Sequence, residues 1–573
     1  MIGDRARRRL TASAAGLTIG IASAVLQLAP VLGRGYVLNR DMVFVPRPPL
    51  DAHALGLDGL PRDVPSDLLV ALASHVLPGD VVQDLVLLLI IAGAGWGAAR
   101  LAARVLAAQP RRAVLAGAAA AATLYSWNPY LGERLRQGQW AVLIGYAALP
   151  WIAATAIALR DGEPRAGCRF FLAVAVAATG GASAELLALP VVLPLAFRPG
   201  GSAGWPRRTC MVAAAFVLLS LPWAVPALTF SAGYPSDRVG VLAFAARADT
   251  SFGTAGSLLA LGGMWNAEVA LPGHGAFVVA AAAIVLTVVS LWALAACRRD
   301  AVARWLLVAA GISYLLAIWA AIPGVRRLAV DVGSSPAGGL LRDGQRWLAP
   351  FVLVVAIGFG VAVARATDRV RCAPALALVP LLLLPAAAWG SDGALSAVHW
   401  PGDWPAVRAA SSRLPSGPVL VLPWSSQRQY GWNGGRTLAE PAAYWLPRRV
   451  VADDALAVGS VSTPLEDPLA RRIAGAVAGR GPLLAVLRRQ GYAGVLLETD
   501  QTGSAGAAAR LQGLRPVLRT GTLALYAVPG PVAVSEPRSP RAPTLAGDIA
   551  AALAVLICAA GVAEITTRPR RSV

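Results

Sequence analysis

The chain has 573 residues, of which 56% are hydrophobic and only 14% charged, and its formal net charge is +20. An ordinary soluble domain carries roughly 25% charged residues, so this composition excludes a water-soluble fold of this size. So positive a charge would indicate a nucleic-acid partner in a soluble protein. Here the arginines cluster in short segments between apolar runs, as topology-determining loops do, and no nucleic-acid partner is expected.

Long apolar windows recur along the chain at lengths near that of a membrane-spanning helix, for which about 20 residues are needed. The segment 169–197 is too long for one simple helix, and Gly180, Gly181 and Ser183 interrupt it before the charged Glu185. We expect two short spans there, because a break at membrane depth is tolerated only where protein or water surrounds the backbone. The other windows are 11–33, 81–107, 113–127, 139–159, 208–229, 276–297, 302–322, 348–365, 373–390 and 545–566. Together they predict an α-helical polytopic membrane protein with about twelve transmembrane helices.

Arginine placement sets the expected orientation, because basic residues are retained on the cytoplasmic side. Four arginines place the N-terminus in the cytoplasm, and an even number of spans brings the C-terminus, with three more, to the same side. These residues are Arg5, Arg7, Arg8 and Arg9, and then Arg568, Arg570 and Arg571. We therefore expect a multi-pass protein of the cytoplasmic (inner) membrane with both termini in the cytoplasm.

The long hydrophilic segments all fall on the outer side in this topology. Residues 1–390 form the expected multi-span domain, 391–543 a small extracytoplasmic α/β domain, and 544–573 the final span with a basic cytoplasmic tail. The long outer loops of the first region are 34–80, 128–138, 230–275 and 323–347. The protein is therefore expected to act on the outer face of the membrane.

The expected outer domain alternates strand and helix patterns. Apolar runs at 418–424, 493–500 and 516–528 predict strands, the last one a hairpin that turns at Thr520-Gly521. Helical periodicity with proline and glycine at the ends marks WPAVRAASSRL, EDPLARRIAGAVAG and PLLAVLRRQG. A Pro- and Arg-rich tether, EPRSPRAP, leads into the last span.

The first outer loop carries aspartates and arginines among prolines and aromatic residues, GYVLNRDMVFVPRPPLD. Asp41 directly follows the first span between apolar residues, and an aspartate there could be the general base that takes a proton from an acceptor hydroxyl. Alternatively, such carboxylates pair with arginines or cap short helices. Further along this loop, DLLVALASHVL is an amphipathic stretch able to lie in the membrane interface.

The second outer loop, SWNPYLGERLRQGQW, combines aromatic, amide and charged residues in one short turn. Arg134 and Arg136 could clamp a phosphate or pyrophosphate through bidentate contacts, with Glu133 and Trp127 as further candidates for the site. Alternatively, the aromatic residues are ordinary interface anchors.

Two further polar positions lie beside spans. Glu185 is a carboxylate at membrane depth, which by default indicates a functional site, although Ser183 and Glu185 at the start of a half-helix could instead satisfy its free amides. The segment LLRDGQRWL places arginines beside a tryptophan at headgroup level, which suits a lipid phosphate as well as simple anchoring. Its candidate residues are Arg342, Asp343, Arg346 and Trp347.

The sequence contains no metal or cofactor motif. The five cysteines show no CxxC spacing, and the histidines His53, His75, His274 and His399 are scattered along the expected outer segments. We therefore expect no metal site and no cofactor, and surface roles for the histidines. Walker and HExxH motifs are also missing, and no dinucleotide fingerprint follows a predicted strand.

With these features in place, the chain resembles the GT-C superfamily of polytopic glycosyltransferases, in particular the actinobacterial arabinofuranosyltransferases of cell-wall synthesis. The resemblance rests on the acidic residue in LNRDMVF, the WNPYLGERLRQGQW loop and the outer domain near the C-terminus, and it covers mainly the first half of the chain. It implies a polyprenyl-phosphate sugar as donor, Asp41 as base, and Arg134, Arg136, Arg342 and Arg346 as contacts of the lipid phosphate. The first loop departs from one common family pattern, because it has no adjacent acidic pair.

These observations leave two possible functions, which belong to different classes of protein. The first is a membrane glycosyltransferase that moves a sugar, arabinofuranose or mannose, from a polyprenyl-phosphate donor to a cell-envelope glycan or lipid acceptor. The alternative is a non-catalytic membrane protein, either a transporter or flippase or an assembly partner of envelope polysaccharide synthesis. A transporter is expected to show paired repeats with polar residues near the bilayer midplane, and the polar residues here gather on the outer side, which favours the enzyme.

Overall fold

The computed structural model of the chain describes residues 2–59, 61–197, 204–231, 237–335, 338–459, 461–534 and 536–567, with side chains described from Leu10 to Ala563. The terminal arginines Arg5, Arg7, Arg8 and Arg9 lie outside the described side chains, and Arg568, Arg570 and Arg571 lie outside the described residues.

Helices dominate the first part of the chain and the last element. They are α1 (Ile2–Leu28), α2 (Ser66–Ser74), α3 (Gly79–Val105), α4 (Arg111–Ser126), α5 (Pro129–Gln137), α6 (Trp140–Arg160), α7 (Ala166–Ala178), α8 (Ala182–Glu185), α9 (Leu189–Ala196), α10 (Trp205–Thr229), α11 (Arg238–Ala243), α12 (Gly253–Leu259), α13 (Phe277–Ala295), α14 (Ala301–Ile318), α15 (Arg326–Gly333), α16 (Ala349–Thr367), α17 (Val379–Leu383) and α18 (Ala388–Asp392). In the region after residue 396 they are α19 (Asp403–Ser411), α20 (Ala442–Trp445), α21 (Pro468–Ala478), α22 (Leu484–Arg489) and α23 (Ser504–Ala509), followed by α24 (Arg541–Thr567).

The chain is a multi-pass helical membrane protein. Within the described residues, eight helices are long and apolar enough to span a membrane, in α1, α3, α6, α10, α13, α14, α16 and α24. A bent pair, Ala373–Leu383 and Pro385–Asp392, meets at 68° and brings the count to nine if it is one span. Every window predicted to be a span is helical, and the predicted total of about twelve is reached only with the shorter helices at 111–126, 166–178 and 182–196. The predicted break in 169–197 lies at Thr179–Gly181.

Helix α16 forms the centre of the membrane region, because 94% of its apolar window is buried within the protein. It packs against α4, α13 and α14, while α1 packs along α3. The approach of α16 to α4 is close: a Cβ on Gly360 would lie only 2.5 Å from the carbonyl oxygen of Gly117. Small residues at such crossings let helices approach closely where the hydrophobic effect provides little attraction between them.

The connections between helices separate onto two faces. On one face, Arg104 contacts Asp161 at 3.0 Å and Glu163 at 2.8 Å, and Arg365 lies 3.2 Å from Cys297 Sγ. On the other, here called the loop face, the segments 34–80, 128–138, 237–275 and 323–347 meet one another and residues 391–543. Arg40 pairs there with Glu268 at 2.6 Å, and Arg62 with Glu466 at 2.5 Å. Parts of the four loops predicted to lie outside thus contact one another, and their location outside the cytoplasm stays a prediction.

The strands are short and lie mainly after residue 396. They are β1 (Tyr36–Val37), β2 (Ala397–Val398), β3 (Val419–Leu422), β4 (Gln427–Gln429), β5 (Thr437–Ala439), β6 (Val450–Val451), β7 (Ala457–Val458), β8 (Val461–Ser462), β9 (Gly494–Glu498), β10 (Arg515–Arg519) and β11 (Leu523–Ala527).

A five-stranded sheet of order β10-β11-β9-β3-β6 forms the centre of the α/β domain. Strand β3 is parallel to β6 and β9, whereas β11 is antiparallel to β9 and β10. One face of the sheet packs against α21 and α22, and the other against Trp404 and Val407 of α19. The predicted strands, the hairpin and the three predicted helices are confirmed; the short strands β4 to β8 were not predicted.

The amphipathic stretch of the first loop contains α2, which leaves Leu69 and Leu72 more than two fifths exposed. Val76 and Leu77, just after the helix, are exposed as well. The predicted location in the membrane interface stays a prediction, and these exposed apolar side chains agree with it.

The separation of the connections onto two faces leads to a test of topology. A reporter active on only one side of the membrane is fused after Gly162 in one protein and after Arg480 in another. We expect opposite activities, with the Gly162 fusion cytoplasmic, because basic residues collect in the connections near Gly162. Equal activity of the two fusions would contradict the expected topology.

Candidate functional site

A cleft of about 520 Å³ opens on the loop face between the ends of the membrane helices and the α/β domain. Four residues singled out in the sequence line it: Asp41, Arg342, Asp343 and Arg346. Arg40, Arg62, Arg247, Glu268, Asp454 and Glu466 also line it, together with the amides Gln137 and Gln139. The cleft is therefore strongly polar and carries both signs of charge.

The backbone around Asp41 is fixed by two separate parts of the chain. Arg40, with a φ of +50° in the left-handed region, donates its N–H to the Thr437 carbonyl at 2.6 Å and accepts from Ala439 N at 2.8 Å. It thus extends the β4–β5 hairpin of the α/β domain. Asp41 N donates in turn to the Gln137 carbonyl at 3.1 Å, at the end of α5. The position of Asp41 therefore depends on contacts between the membrane region and the α/β domain.

The carboxylate of Asp41 faces the cleft and is held at one oxygen. Gln137 Nε2 donates to its Oδ2 at 3.1 Å and Gln139 Nε2 at 3.4 Å. Among the described residues, Oδ1 has no hydrogen-bond donor and is open to the cleft. Partial burial by the cleft walls raises the pKa of Asp41 above its ordinary value, and the two amide contacts oppose this shift.

The hairpin that holds Arg40 is anchored by a buried charge cluster that the sequence analysis did not identify. Arg428 of β4 contacts Glu498 of β9 at 2.5 Å and Glu440 at 2.6 Å, and the Tyr430 hydroxyl donates to Glu498 at 3.0 Å. One guanidinium thus balances two carboxylates that are far apart in the sequence. Because buried charges are costly without partners, this cluster fixes the hairpin to the sheet.

Arg134, predicted to contact a phosphate, does not line the cleft. Its side chain is fully buried, and it makes a bidentate contact with Asp343 at 2.5 and 2.9 Å. It also donates to Gln345 Oε1 at 3.0 and 2.6 Å and to Gln139. All its nitrogens are therefore committed, and Arg134 lies behind the wall of the cleft, where it orients Asp343.

Arg136 is also placed away from the cleft. Its guanidinium donates to the carbonyl oxygens of Ser391 at 3.1 Å and Glu268 at 3.4 Å. The structure thus does not bring Arg134 and Arg136 together in the cleft, because α5 directs both side chains into contacts between loops.

The cleft contains two arginines without a carboxylate partner among the described residues, Arg346 and Arg247. Arg346 is mostly buried, donates to Ser183 Oγ at 2.5 Å and to the Leu340 carbonyl, and its Nε has no partner within the described part of the chain. Within the described part of the chain, the guanidinium of Arg247 donates only to the local Ala243 carbonyl, at 3.3 Å. Arg342 differs, because Glu466 at 3.1 Å neutralises it. Arg346 and Arg247 are the cations best placed to receive an anion.

The remaining candidates have structural partners outside the cleft. Glu185 is buried and accepts from Ser220 Oγ and from Trp223 Nε1 at 2.9 Å, so it does not cap its half-helix, which has no side-chain cap. Trp127 donates to the Leu384 carbonyl at 2.9 Å. Trp347 is buried in the main core and stacks near Arg346.

One group formed by the fold was not expected from the sequence. Glu133, Asp249 and His274 come together behind the cleft, with one ligand-type atom from each within 4.8 Å of the others. His274 is only 1% exposed, so the expected surface role for this histidine is wrong. Sequence spacing gave no signal, because more than a hundred positions separate Glu133 from Asp249 in the chain.

Comparison with solved structures identifies the fold. The arabinofuranosyltransferase AftD from Mycobacteria matches with a TM-score of 0.59 and 20% identity over 89% of this chain and 40% of that chain. A mutant form of AftD matches with a TM-score of 0.55 and 20% identity, over 89% of this chain and 41% of that chain. The chain therefore spans about two fifths of the length of these solved chains. At 20% identity this likeness shows that the chain shares the fold of that part of AftD. No protein-family model and no curated protein sequence matches the chain.

The Arg134 contacts predict a strong dependence of stability on Asp343. The substitution Asp343→Asn leaves the buried guanidinium without its countercharge, and we expect the free energy of unfolding to fall by about 3–5 kcal/mol. Chemical denaturation of the purified protein in detergent measures this loss.

The matched control is Asp331→Asn, which removes the partner of Arg238 from an ion pair whose side chains are 62% and 68% exposed. We expect this change to stay within about 0.5 kcal/mol of the wild type. Equal losses in the two variants would show that burial of Arg134 does not determine the effect.

Proposed function

We propose that the chain is a membrane glycosyltransferase that moves a sugar from a polyprenyl-phosphate donor to an envelope glycan or lipid acceptor in the cleft. The observation that carries the proposal is the presence of a carboxylate, Asp41, and a buried arginine with an open donor, Arg346, in one cleft beside the membrane helices. The shared fold with a known arabinofuranosyltransferase supports it, and arabinofuranose is the first sugar to test, before mannose.

The donor's phosphate is proposed to bind at Arg346 and Arg247. Arg346 has no carboxylate partner among the described residues, so a bound phosphate would supply its countercharge. Charge-assisted contacts to arginine are among the strongest hydrogen bonds. Ser183 lies in α8, just after the break in the predicted span. Its hydroxyl oxygen accepts a hydrogen bond from Arg346 at 2.5 Å and so positions the guanidinium. The lipid tail would then extend along the membrane helices while the sugar reaches into the cleft.

Asp41 is proposed to act as the general base. It would accept the proton of the acceptor hydroxyl as the hydroxyl oxygen bonds to the anomeric carbon of the sugar. The bond between that carbon and the phosphate oxygen breaks, and its electron pair leaves with the polyprenyl phosphate. The arginines stabilise the charge that develops on the departing phosphate. Metal and cofactor take no part in this proposed step.

The proposed location of the protein is the cytoplasmic membrane. In the proposed orientation the loop face lies outside the cytoplasm and both termini lie inside it. Polyprenyl-linked donors and envelope acceptors would meet there. The α/β domain contributes one wall of the cleft through Asp454, Glu466 and the β7–β8 hairpin, so it is proposed to help hold the acceptor.

The base assignment predicts a loss of turnover without a loss of fold. The substitution Asp41→Asn keeps the size of the side chain and a hydrogen-bond acceptor but removes the basicity, so transfer should fall by about 100-fold or more. Sugar transfer from a synthetic polyprenyl-phosphate arabinofuranose to an arabinan acceptor measures the loss. Full activity in this variant would refute the base assignment, and a wild-type protein inactive with every such donor would favour a non-catalytic role.

The phosphate assignment predicts a different kinetic effect. Because Arg346 and Arg247 would contact the donor and not the acceptor, Arg346→Ala and Arg247→Ala should raise the KM for the donor by about tenfold or more. The KM for the acceptor should stay near that of the wild type. Arg238→Ala, on the same face but outside the cleft, serves as the control. Unchanged donor KM in both cleft variants would contradict the assignment.

The pH profile offers a further test of Asp41. Only the ionised carboxylate accepts a proton, and burial raises the pKa of Asp41 above its ordinary value of 3.8. We therefore expect kcat/KM to fall as the pH drops through this raised pKa, at a higher pH than an unperturbed aspartate would give. The residual activity of Asp41→Asn should lack this acid limb, and an unchanged limb in the variant would assign it to another group.

A further inference from the structure

Behind the cleft, Glu133 of α5 meets two residues of the segment 237–275, Asp249 and His274. None of the three lines the cleft, so the group is separate from the proposed transfer site. Glu133 and His274 are 0% and 1% exposed, and the side chain of Asp249 is 6% exposed. Two carboxylates and one imidazole thus lie together in the interior of the loop face.

The geometry leaves a space between the three side chains. His274 Nε2 lies 3.7 Å from Asp249 Oδ2, too far for a hydrogen bond, and all three ligand-type atoms fall within 4.8 Å of one another. The space lies in front of Gly262. A Cβ at that position would lie 2.3 Å from Asp249 Oδ2, 2.6 Å from His274 Nε2 and 2.9 Å from Glu133 Oε1. Only glycine keeps this space open.

Each of the three residues also directs an unpartnered polar atom into the protein interior. Within the described residues, Glu133 Oε1, Asp249 Oδ1 and His274 Nε2 have no hydrogen-bond partner. A buried polar atom without a partner typically costs about 1–3 kcal/mol, so three such atoms together require an explanation. A proton shared between the two carboxylates would satisfy one oxygen of each but leave His274 Nε2 unpaired.

We propose that Glu133, Asp249 and His274 bind a divalent transition-metal ion such as Zn²⁺ or Mn²⁺. Imidazole nitrogen and carboxylate oxygen form a ligand set that suits these ions better than Mg²⁺ or Ca²⁺, which prefer oxygen alone. One cation in the space would give Glu133 Oε1 and His274 Nε2 a partner, would contact Asp249 Oδ2, and would balance the two carboxylates at once. This proposal departs from the sequence-based expectation of no metal site, which rested on the scattered histidines.

Contacts around the cluster support the ligands in the way that metal sites require. Gly263 N donates to Asp249 Oδ2 at 2.7 Å, and Gln345 Nε2 donates to Glu133 Oε2 at 3.2 Å. Such outer contacts orient carboxylate ligands and are part of most metal sites. Gln345 also accepts from Arg134, so the cluster connects directly to the buried ion pair behind the cleft.

The ion would fix α5 against the segment 237–275. Helix α5 ends at Gln137, whose side chain contacts Asp41 at 3.1 Å and also accepts from Asn266 at 2.8 Å. The three ligands are thus positioning residues, and metal binding would stabilise the wall of the cleft without contacting a substrate there.

The test uses the full chain in detergent, purified through a tag without histidine and stripped with a chelator. Titration with Zn²⁺ and with Mn²⁺, followed by calorimetry and elemental analysis, should show about one ion bound per chain. Bound metal should raise the apparent unfolding temperature, because a ligand that binds the folded state stabilises it. Ca²⁺ and Mg²⁺ at the same concentration should bind at least tenfold more weakly.

Two variants remove the site in different ways. Glu133→Gln replaces a charged ligand by a neutral group of the same size, and Gly262→Ala fills the space that the ion would occupy. Each should weaken binding by tenfold or more, since changes even to outer contacts cost about 10–100-fold. His75→Ala and Asp331→Asn remove an imidazole and a carboxylate elsewhere on the loop face and should bind like the wild type.

A stripped wild-type protein that binds no stoichiometric ion, or variants that bind as tightly as the wild type, would overturn the proposal. If a variant does not fold, X-ray absorption of the Zn²⁺-loaded wild type decides, because the proposal requires one imidazole nitrogen and carboxylate oxygens as ligands. Sulfur ligands or a shell of water alone would overturn it. These readouts do not involve sugar transfer, so they stand apart from the proposed enzyme activity.

Discussion

The buried Arg134 guanidinium is the constraint on which the loop face depends. A charge removed from water needs several well-placed partners, and Asp343, Gln345 and Gln139 supply them from two different segments. The requirement joins α5 to the segment that leads into α16. Because α5 is then fixed, Gln137 is presented to Asp41 on one side and Glu133 to His274 on the other. A single desolvated cation thus sets the positions of groups that serve different roles.

The α/β domain supplies the second constraint, because the cleft is incomplete without it. Arg40 pairs with the β4–β5 hairpin through its backbone, and the hairpin is bound to the sheet by Arg428 between two glutamates. The residue next to Arg40 is Asp41, so its carboxylate is oriented by a domain that begins some 350 positions later in the chain. The loops of the membrane region, with Ser183 and Arg346, line most of the cleft, and the domain provides one wall and the alignment of the carboxylate.

The shared fold and the site support different conclusions. Similarity to AftD at 20% identity shows how the chain is arranged, and unrelated activities are often found on one fold. The proposed activity therefore rests on the cleft, which is lined by the Asp41 carboxylate and by two arginines without carboxylate partners among the described residues. The separate cluster of Glu133, Asp249 and His274 is the proposed metal site, and none of its residues lines the cleft.

The sequence by itself determined the membrane class, the positions of the helical windows, the break at Gly180 and Gly181, and the principal strands of the outer domain. These features follow from composition and local periodicity, which depend on neighbours along the chain. It also indicated Asp41, Arg342, Asp343 and Arg346, because these charged residues lie in predicted outer loops directly beside spans. Only the tertiary structure decided that Arg134 and Arg136 are committed to other loops, that Arg247 joins the cleft, and that His274 meets Glu133 and Asp249. Those outcomes depend on which distant side chains share a buried space, and the free energy of burying a charge is set by partners that sequence spacing does not reveal.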